Sequence, residues 1–442
     1  MGGSKHNLST SSIKFFDAVY SQNLPALRAI VKREKVAPDT VDTRTDNAST
    51  ALLYAAENRL IDLARALLKL KPVGADVNKE DSFGRRPIWW AAQYGDVGLA
   101  ELLIKEYKCE VDYMDRTTGC TPLYRAIVTE SPELCTLLIH GGADVNLRRL
   151  GFGTGAESPL IKAVQLDNLP ICQVLVNSLC NLSYQTEEGF TALHYAIAYR
   201  RYSIVEFLLE NKINMHATSH GGITPMCVAI THSNPAMVRY LIMHGYNMNK
   251  VSPMKVGEDT PLGDAISLHN QECALALVHW GCSLRPRKER SSYFELAAEA
   301  GLGKLLQLLV YVKPFYANEW KCKYQKGAPL ALQTKSGILQ WLRSVSSSPL
   351  PLKELSRAAI FNALKYFPSR YVKLPLPRKL LEYISFHDIV DQRMYRHQPL
   401  KVECPMDCSF HHSTTEIQCP DVEVSDLDGE TDYGSDDSNN GQ

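Results

Sequence analysis

Five residues near the end of the chain have types and spacing that could bind a metal ion. Cysteine thiolates and histidine nitrogens are the usual zinc ligands, and they occur close together at Cys404, Cys408, His411, His412 and Cys419. The segment is polar, has no second C-x₂-C pair and shows no pattern that would form a core. We therefore expect an unstructured tail here rather than a zinc site.

A glycine-rich stretch, GFGTG at residues 151–155, precedes a helical pattern and could be taken for a phosphate-binding loop. Such loops follow a strand in a βαβ unit or complete the motif G-x-x-x-x-G-K-[ST], and neither condition holds here. We expect a flexible loop; an enzyme using it would show saturable nucleotide binding. His194 occupies a repeated structural position, and no Ser/His/Asp or Cys/His arrangement is present. We expect no catalytic residue, cofactor or metal.

Composition and termini favour an intracellular protein. The chain has 442 residues, 45% of them apolar and 22% charged, which is normal for a globular protein. It has no apolar run of the roughly 18 residues that a membrane span needs. Its first residues, MGGSKHNLSTSS, lack the apolar core of a signal peptide, and twelve scattered cysteines suit a reducing compartment. We expect a cytoplasmic or nuclear location without membrane association.

Charge is unevenly distributed but does not predict a nucleic-acid partner. The chain carries 48 basic and 48 acidic residues, and residues 421–442 hold eight of the acids and no Lys or Arg. The remainder is therefore mildly basic, without a stripe of Lys and Arg, so nucleic-acid binding is not indicated.

Most of the chain repeats a short pattern, and these repeats must position any functional residue. The clearest copies are GCTPLYRAIV (119–128), GFTALHYAIA (189–198) and GITPMCVAIT (222–231). Thr121 and Pro122 are typical of a helix start, and Leu123 and Ala126 then share one face. A second helix starts in the same way at Ser131 and Pro132. One such helix pair cannot bury its apolar stripe alone, whereas stacked neighbours can.

The repeat resembles that of the ankyrin family, whose units carry T-P-L-H-x-A at a period of about 33 residues. One alanine recurs at intervals of 32 to 37 residues, at Ala18, Ala55, Ala91, Ala126, Ala163, Ala196, Ala229, Ala265 and Ala297. The resemblance implies an all-α ankyrin-repeat solenoid of about nine helix-turn-helix units with β-hairpin fingers, spanning residues 12–312. Residues 1–11 are expected to be a disordered N-terminus.

A solenoid of this kind presents a concave face of inner helices and fingers to a protein partner. Exposed positions at the ends of the inner helices and at the finger tips are the candidates for binding a target. The alternative for each of them is ordinary solvent-exposed surface without a partner. The predicted target-binding residues are Phe83, Arg85, Tyr94, Arg116, Thr129, Tyr199, His220 and His232.

After about residue 312 the period stops. Residues 313–348 are expected to form a packed connector with one short helix at 337–345, because they contain Trp320, Trp341 and Leu342. In the next segment Leu352, Ser356 and Ile360 are spaced four apart, which forms one helical edge. This edge would fit a groove on another protein or pack against the last repeat.

Residues 349–388 resemble the SOCS box family. Residues 371–384 match its cullin-5-contacting pattern at Tyr371 and at Leu374, Pro375, Leu376, Pro377, Leu380, Tyr383 and Ile384. Residues 351–360 resemble its elongin-binding helix, with Ser356 in place of the usual cysteine. The resemblance implies a three-helix box in which Leu352, Ser356 and Ile360 bind elongin and residues 374–384 bind cullin-5. The prolines would hold an extended turn rigid before docking.

Repeats followed by this box resemble the ankyrin-repeat-and-SOCS-box family, which implies a substrate-recognition subunit of a cullin-5 RING ubiquitin ligase. The implied partners are elongin B/C, cullin-5 with its RING subunit, and a protein substrate. The rival hypothesis is a non-catalytic scaffold or adaptor without a ligase role, whose terminal box caps the solenoid. Residues 389–442 depart from the family and are expected to be a disordered acidic C-terminal tail.

Overall fold

A computed structural model describes residues 9–45, 47–70, 74–150, 156–250, 260–285, 292–324 and 327–347, together with Ser356, Ala359 and Ile360. In this part of the chain, helices occur in nine consecutive pairs between Thr10 and Val312. The pairs are α1 Thr10–Tyr20 and α2 Leu24–Glu34; α3 Ala51–Glu57 and α4 Ile61–Leu68; α5 Pro87–Gln93 and α6 Val97–Glu101, which continues as a π-helix over Leu102–Glu106; α7 Pro122–Val128 and α8 Pro132–His140; α9 Pro159–Gln165 and α10 Leu169–Asn177; α11 Ala192–Ala198 and α12 Tyr202–Glu210; α13 Pro225–Thr231 and α14 Pro235–Met243; α15 Pro261–Ser267 and α16 Gln271–His279; and α17 Tyr293–Glu299 and α18 Gly303–Val312.

Between Thr10 and Val312 the described part of the chain therefore folds as a helical ankyrin-repeat solenoid, as the alanine period predicts. The two helices of each pair contact one another, and the first helices contact their neighbours in order from α3 to α17. The recurring alanines lie at these contacts: Ala55, Ala91, Ala126 and Ala163 are fully buried. A small side chain at this position lets adjacent helices approach closely, which is why the pattern repeats at alanine.

Side-chain caps set where the helices begin. Thr121 accepts a hydrogen bond from the Tyr124 amide at 3.0 Å, and Pro122 is the first residue of α7. Ser131 caps α8 in the same manner, and α8 ends at His140, immediately before Gly141. The predicted start signals of both helices of this unit are confirmed. Residues 9–11 of the predicted disordered N-terminus belong to the start of α1, because Ser9 caps this helix and it begins at Thr10; residues 1–8 lie outside the described residues.

The fingers are mostly tight turns rather than hairpins. Among the described residues, two fingers contain strand pairs: β1 Val41–Asp42 with β2 Ser49–Thr50, and β3 Arg149–Leu150 with β4 Ala156–Glu157, both antiparallel. Elsewhere a finger is closed by one backbone hydrogen bond, for example from the Asp81 amide to the Arg85 carbonyl at 3.0 Å. The prediction of β-hairpin fingers is thus too general, because most of the described fingers close through isolated backbone hydrogen bonds instead of a strand ladder.

Successive fingers are joined through their backbones. The Ser82 amide donates to Asn47 O at 3.1 Å, the Arg116 amide to Phe83 O at 2.9 Å, and the His220 amide to Glu188 O at 3.0 Å. Buried aspartates shape the fingers from within. The Asp115 carboxylate accepts hydrogen bonds from the Thr117 and Thr118 amides. Burial alone would raise the pKa of Asp115, but these and further hydrogen bonds hold it below its usual value.

The connector after the ninth pair is more helical than predicted. It contains α19 Phe315–Lys323, α20 Leu330–Gln333 and α21 Ser336–Ser347. Tyr316 stacks on Phe294 of α17 with ring centroids 5.2 Å apart, and Trp320 and Leu342 are buried. The Lys335 ammonium donates to Gly301 O at 2.6 Å. These helices therefore cover the end of the ninth unit.

The close approach of two fingers gives a test of the stacking. Gly189 has φ +85°, and a Cβ placed there would lie 2.5 Å from the His220 amide nitrogen. Gly245 has φ +90°, with nothing within 4 Å of such a Cβ. Gly245→Ala should lower the free energy of unfolding by about 1 kcal/mol through left-handed strain alone. Gly189→Ala should cost roughly 1–3 kcal/mol more, because the fingers must separate. Equal costs in urea unfolding of the two variants would contradict this account.

Candidate protein-binding surface

The inner face of the array comprises the ends of the first helices and the fingers that precede them. Of the eight predicted target-binding residues, six are exposed on it: Phe83, Tyr94, Arg116, Tyr199, His220 and His232. Tyr94 and Tyr199 keep 42% and 49% of their surface accessible. Large exposed aromatic rings are unusual in a helical array and common at the centres of protein interfaces.

Arg85, by contrast, has an internal structural role. Its side chain is only 16% exposed, and its Nε donates to Asp81 Oδ2 at 2.7 Å. Its guanidinium lies 4.6 Å from the centroid of Phe83 and 4.5 Å from that of Trp90. The planar cation thus holds two rings through cation–π contacts and is not directed to a partner. Arg85 was predicted to be exposed at a finger tip, but its side chain is largely buried. The sequence alone does not show that it pairs with Asp81.

The Thr129 hydroxyl is likewise hydrogen-bonded within the array. Its hydroxyl donates to Ala92 O at 3.1 Å, which ties the end of α7 to the end of α5, and to Ala126 O at 3.2 Å. A threonine bonded in this way fixes the spacing of two units instead of offering a hydroxyl to a partner.

The first group of aromatic rings, termed the Trp90 cluster, consists of Phe83, Trp90 and Tyr94. Trp90 and Tyr94 are stacked, with centroids 5.9 Å apart and an interplanar angle of 18°. Trp90 itself is buried, with 7% of its surface accessible, so Tyr94 presents the aromatic surface. The tyrosine is therefore held rigid from below, which reduces the side-chain entropy that binding would cost.

A second group, termed the Tyr195 cluster, consists of Phe190, Tyr195 and Tyr199. Tyr195 and Tyr199 stack with centroids 6.4 Å apart, and Phe190 meets Tyr195 edge to face at 6.1 Å. Between α11 and α13 this cluster borders an open, mainly apolar pocket of about 210 Å³. The pocket is lined by Phe190, His194, Tyr195, Ala198, Ile223, Val228, Thr231 and His232. Of these, only His232 is among the predicted target-binding residues, because the pocket joins two units that are separated in sequence.

His194 lies at the inner end of this pocket and serves the fold. Its Nδ1 accepts from the Thr191 amide at 3.1 Å, and its Nε2 donates to Ile223 O in the next unit at 3.1 Å. Both ring nitrogens are thus used by the neutral imidazole. Burial lowers the pKa of His194 to about 4, since the charged ring would be poorly solvated. The expectation of a structural histidine fits this geometry.

This lowered pKa predicts a pH dependence of stability. The unfolded chain binds a proton at His194 near pH 6.5, whereas the folded chain does so only near pH 4, so stability falls as pH drops through this window. Between pH 7 and pH 5 the loss should be about 2 kcal/mol. It should be absent in His194→Gln, while His232→Gln at an exposed histidine should keep it. Urea unfolding at both pH values measures this; an equal loss in wild type and His194→Gln would refute it.

The buried cysteines act as small apolar side chains. Cys135, Cys172, Cys227 and Cys273 are at most 1% exposed. Burial raises the pKa of Cys135, Cys172 and Cys273 to about 12, so they remain protonated thiols. Within the described ranges, no group of three or more His, Cys, Asp or Glu side chains converges as metal ligands. None of the described helices combines the length and apolar character that a bilayer crossing requires.

The C-terminal candidates fall largely outside the described residues. This holds for Leu352 and for Leu374, Pro375, Leu376, Pro377, Leu380, Tyr383 and Ile384, as well as for GFGTG at 151–155 and the Cys/His group at 404–419. Ser356 and Ile360 are described: both are helical and exposed, and Ile360 keeps 39% of its surface accessible. A half-exposed isoleucine is available to a partner.

Comparison with known proteins agrees with the helix pairs described above. A family model for ankyrin repeats matches three times, at residues 15–115, 69–149 and 150–219. Residues 15–219 are ankyrin repeats. Protein–protein interaction is the role that these repeats support.

The chain is similar to the B-cell lymphoma 3 protein homolog of Mus musculus, with 30% identity over 40% of this chain and 39% of that protein. It is also similar to the nuclear factor NF-kappa-B p105 subunit of Gallus gallus, with 29% identity over 35% of this chain and 16% of that protein. The crystal structure of the ankyrin repeat domain of Bcl-3 aligns with a TM-score of 0.44 and 24% identity, covering 49% of this chain and 92% of that one. The match spans less than half of each full-length relative.

Proposed function

We propose that this protein is the substrate-recognition subunit of a cullin-5 RING ubiquitin ligase. In this proposal the inner face binds a target protein, residues 351–360 bind elongin B/C, and residues 371–384 bind cullin-5. The recruited RING subunit and a conjugating enzyme then ubiquitinate the target, which directs it to proteasomal degradation in the cytoplasm or nucleus. The observation that carries the proposal is the segment KLPLPRKLLEYI at 373–384, which follows an array of protein-binding repeats.

The chain's own contribution to this reaction is positional. Holding a target lysine near a charged conjugating enzyme converts a slow bimolecular encounter into an effectively unimolecular step. A receptor therefore needs one rigid face for the target and one separate face for the ligase. The stacked repeats supply rigidity, and the exposed rings Tyr94 and Tyr199 supply contact area at the inner face.

The connector supports a role for the terminal segment outside the array. In the rival scaffold hypothesis, the box of residues 349–388 caps the last repeat. That end is already covered by α19 and α21, because Tyr316, Trp320 and Leu342 are all buried. A Cβ at Gly303 of α18 would lie only 1.8 Å from Ile338 Cδ1, so α21 is packed directly on the ninth unit. A second cap is not needed for solubility, which leaves the exposed Ile360 free for a partner.

Elongin capture tests the proposal. Leu352→Arg combined with Ser356→Arg places two large charged groups on the predicted helical edge and should abolish co-purification of elongin B/C from cells. Burying an unpaired guanidinium in an apolar groove costs too much for residual binding to persist. The matched control is Tyr94→Ala with Tyr199→Ala on the inner face, which should capture elongin as the wild type does. Absence of elongin from the wild-type protein would refute the ligase role and favour the scaffold.

A further inference from the structure

Units 4 and 5 of the array, which contain α7 and α9, place five basic side chains on the inner face and its fingers. They are Arg116, Arg125, Arg148, Arg149 and Lys162, and we refer to them as the basic group. Arg125 lies 4.8 Å from the Trp89 ring centroid and donates to Thr118 Oγ1 at 3.2 Å. The Arg149 Nε donates to Thr118 O, also at 3.2 Å. Arg125 and Arg149 therefore converge on Thr118, in the finger that also carries Arg116, whereas Arg148 lies 5.8 Å from the Tyr184 ring centroid and Lys162 Nζ donates to Gln165 Oε1 at 3.5 Å.

The acids nearby neutralise this group only in part. Arg116 pairs with Glu80 at 3.1 Å, an exposed contact that contributes little. The Asp115 carboxylate is buried and committed to the backbone of its own finger, and Glu157 accepts from the Tyr124 hydroxyl. Throughout the described ranges, no carboxylate lies within 4 Å of the side-chain nitrogens of Arg125, Arg148 or Lys162. In that part of the chain, three cations thus have no ion-pair partner.

The neighbouring units have a different character. The inner helix α11 carries no Asp, Glu, Lys or Arg, and it borders the apolar pocket beside the Tyr195 cluster. The finger before it ends in two exposed acids, Glu187 and Glu188. Along the inner face, a cationic region is therefore followed by an apolar pocket, with acidic groups beside the pocket.

We propose that the inner face binds an extended acidic segment of its target, with carboxylates on the basic group and one large apolar side chain in the pocket. Charged hydrogen bonds between arginine and carboxylate provide orientation, and a buried apolar anchor provides most of the affinity. This inference rests on the target-binding part of the proposed function and not on its ligase part. Single-stranded nucleic acid fits less well, because it carries a phosphate at every nucleotide and would place phosphates beside Glu187 and Glu188, whereas a peptide can carry its acids at the basic group and an apolar residue at the pocket.

Peptide selection with the purified full-length chain, free of elongin and cullin, tests this inference. A random 12-residue display library should yield peptides enriched in Asp and Glu and carrying one Phe, Trp, Leu or Met. The best selected peptide should lose at least about tenfold in affinity when that apolar residue is changed to Ala. Enrichment of Lys and Arg, no enrichment of acids, or tighter binding of a 20-nucleotide oligothymidine than of the selected peptide would overturn the inference.

Two variants with matched controls locate the binding site. Arg148→Glu with Lys162→Glu should weaken binding of the selected peptide at least about tenfold, whereas the equal change of net charge in Lys304→Glu with Lys321→Glu, at exposed lysines of α18 and α19, should not. Ala198→Met, which fills the pocket, should weaken binding, whereas Ala300→Met, at a residue that follows α17 and lines a different pocket, should not. Circular dichroism shows that each variant is folded. Equal effects of a variant and its control would overturn the inference.

The elongin assay separates this inference from the proposed function. The Leu352→Arg and Ser356→Arg double variant should bind the selected peptide with unchanged affinity. Loss of peptide selection alongside intact elongin capture would overturn the acidic-segment inference alone. Peptide selection without elongin capture would instead overturn the ligase role and leave the inference standing.

Discussion

The structure depends on burial of one short helix against its counterpart in the next unit. A seven-residue helix such as α7 is too short to be stable in water by itself. It persists because Leu123, Ala126 and Ile127 are fully or almost fully covered by the units on either side. Stability is therefore shared between neighbours and propagates along the chain, and the ends need special treatment. At the C-terminal end of the array, Tyr316 and Trp320 of α19 cover the last unit through aromatic contacts with Phe294.

This dependence explains which features the sequence revealed. Caps, prolines and the recurring alanine act within about ten residues, so Thr121, Pro122 and Ala126 predicted both the helix pairs and their boundaries. Contacts and burial that involve two different units could not be predicted from the sequence in the same way. Thr129 bonds to Ala92, 37 residues away, and Trp90 is buried beneath Tyr94 and Arg85. Each looks exposed when only its own helix is considered.

The candidate surface shows the same division. The exposure of Tyr94 and Tyr199 could be predicted, because each follows the last residue of a first helix, although Thr129 at the same position of α7 is bonded within the fold. The pocket beside the Tyr195 cluster could not, since Phe190 and Ile223 come from adjacent units. The basic group is visible in the sequence only as scattered residues, and the approach of Arg125 and Arg149 to each other needs Thr118 in the finger of unit 4. Leu352 and the residues from Leu374 to Ile384 rest on resemblance alone, as they lie outside the described residues.

The bonds that join one finger to the next have a consequence for variation in this protein. They run from the amide of Ser82, Arg116 or His220 to a carbonyl of the preceding finger, so every amino acid except proline can supply them. The spacing between units therefore does not depend on which side chains the finger tips carry. The side chains at the tips could therefore change during evolution, and with them the target that is bound, while the backbone contacts that stack the units stay the same.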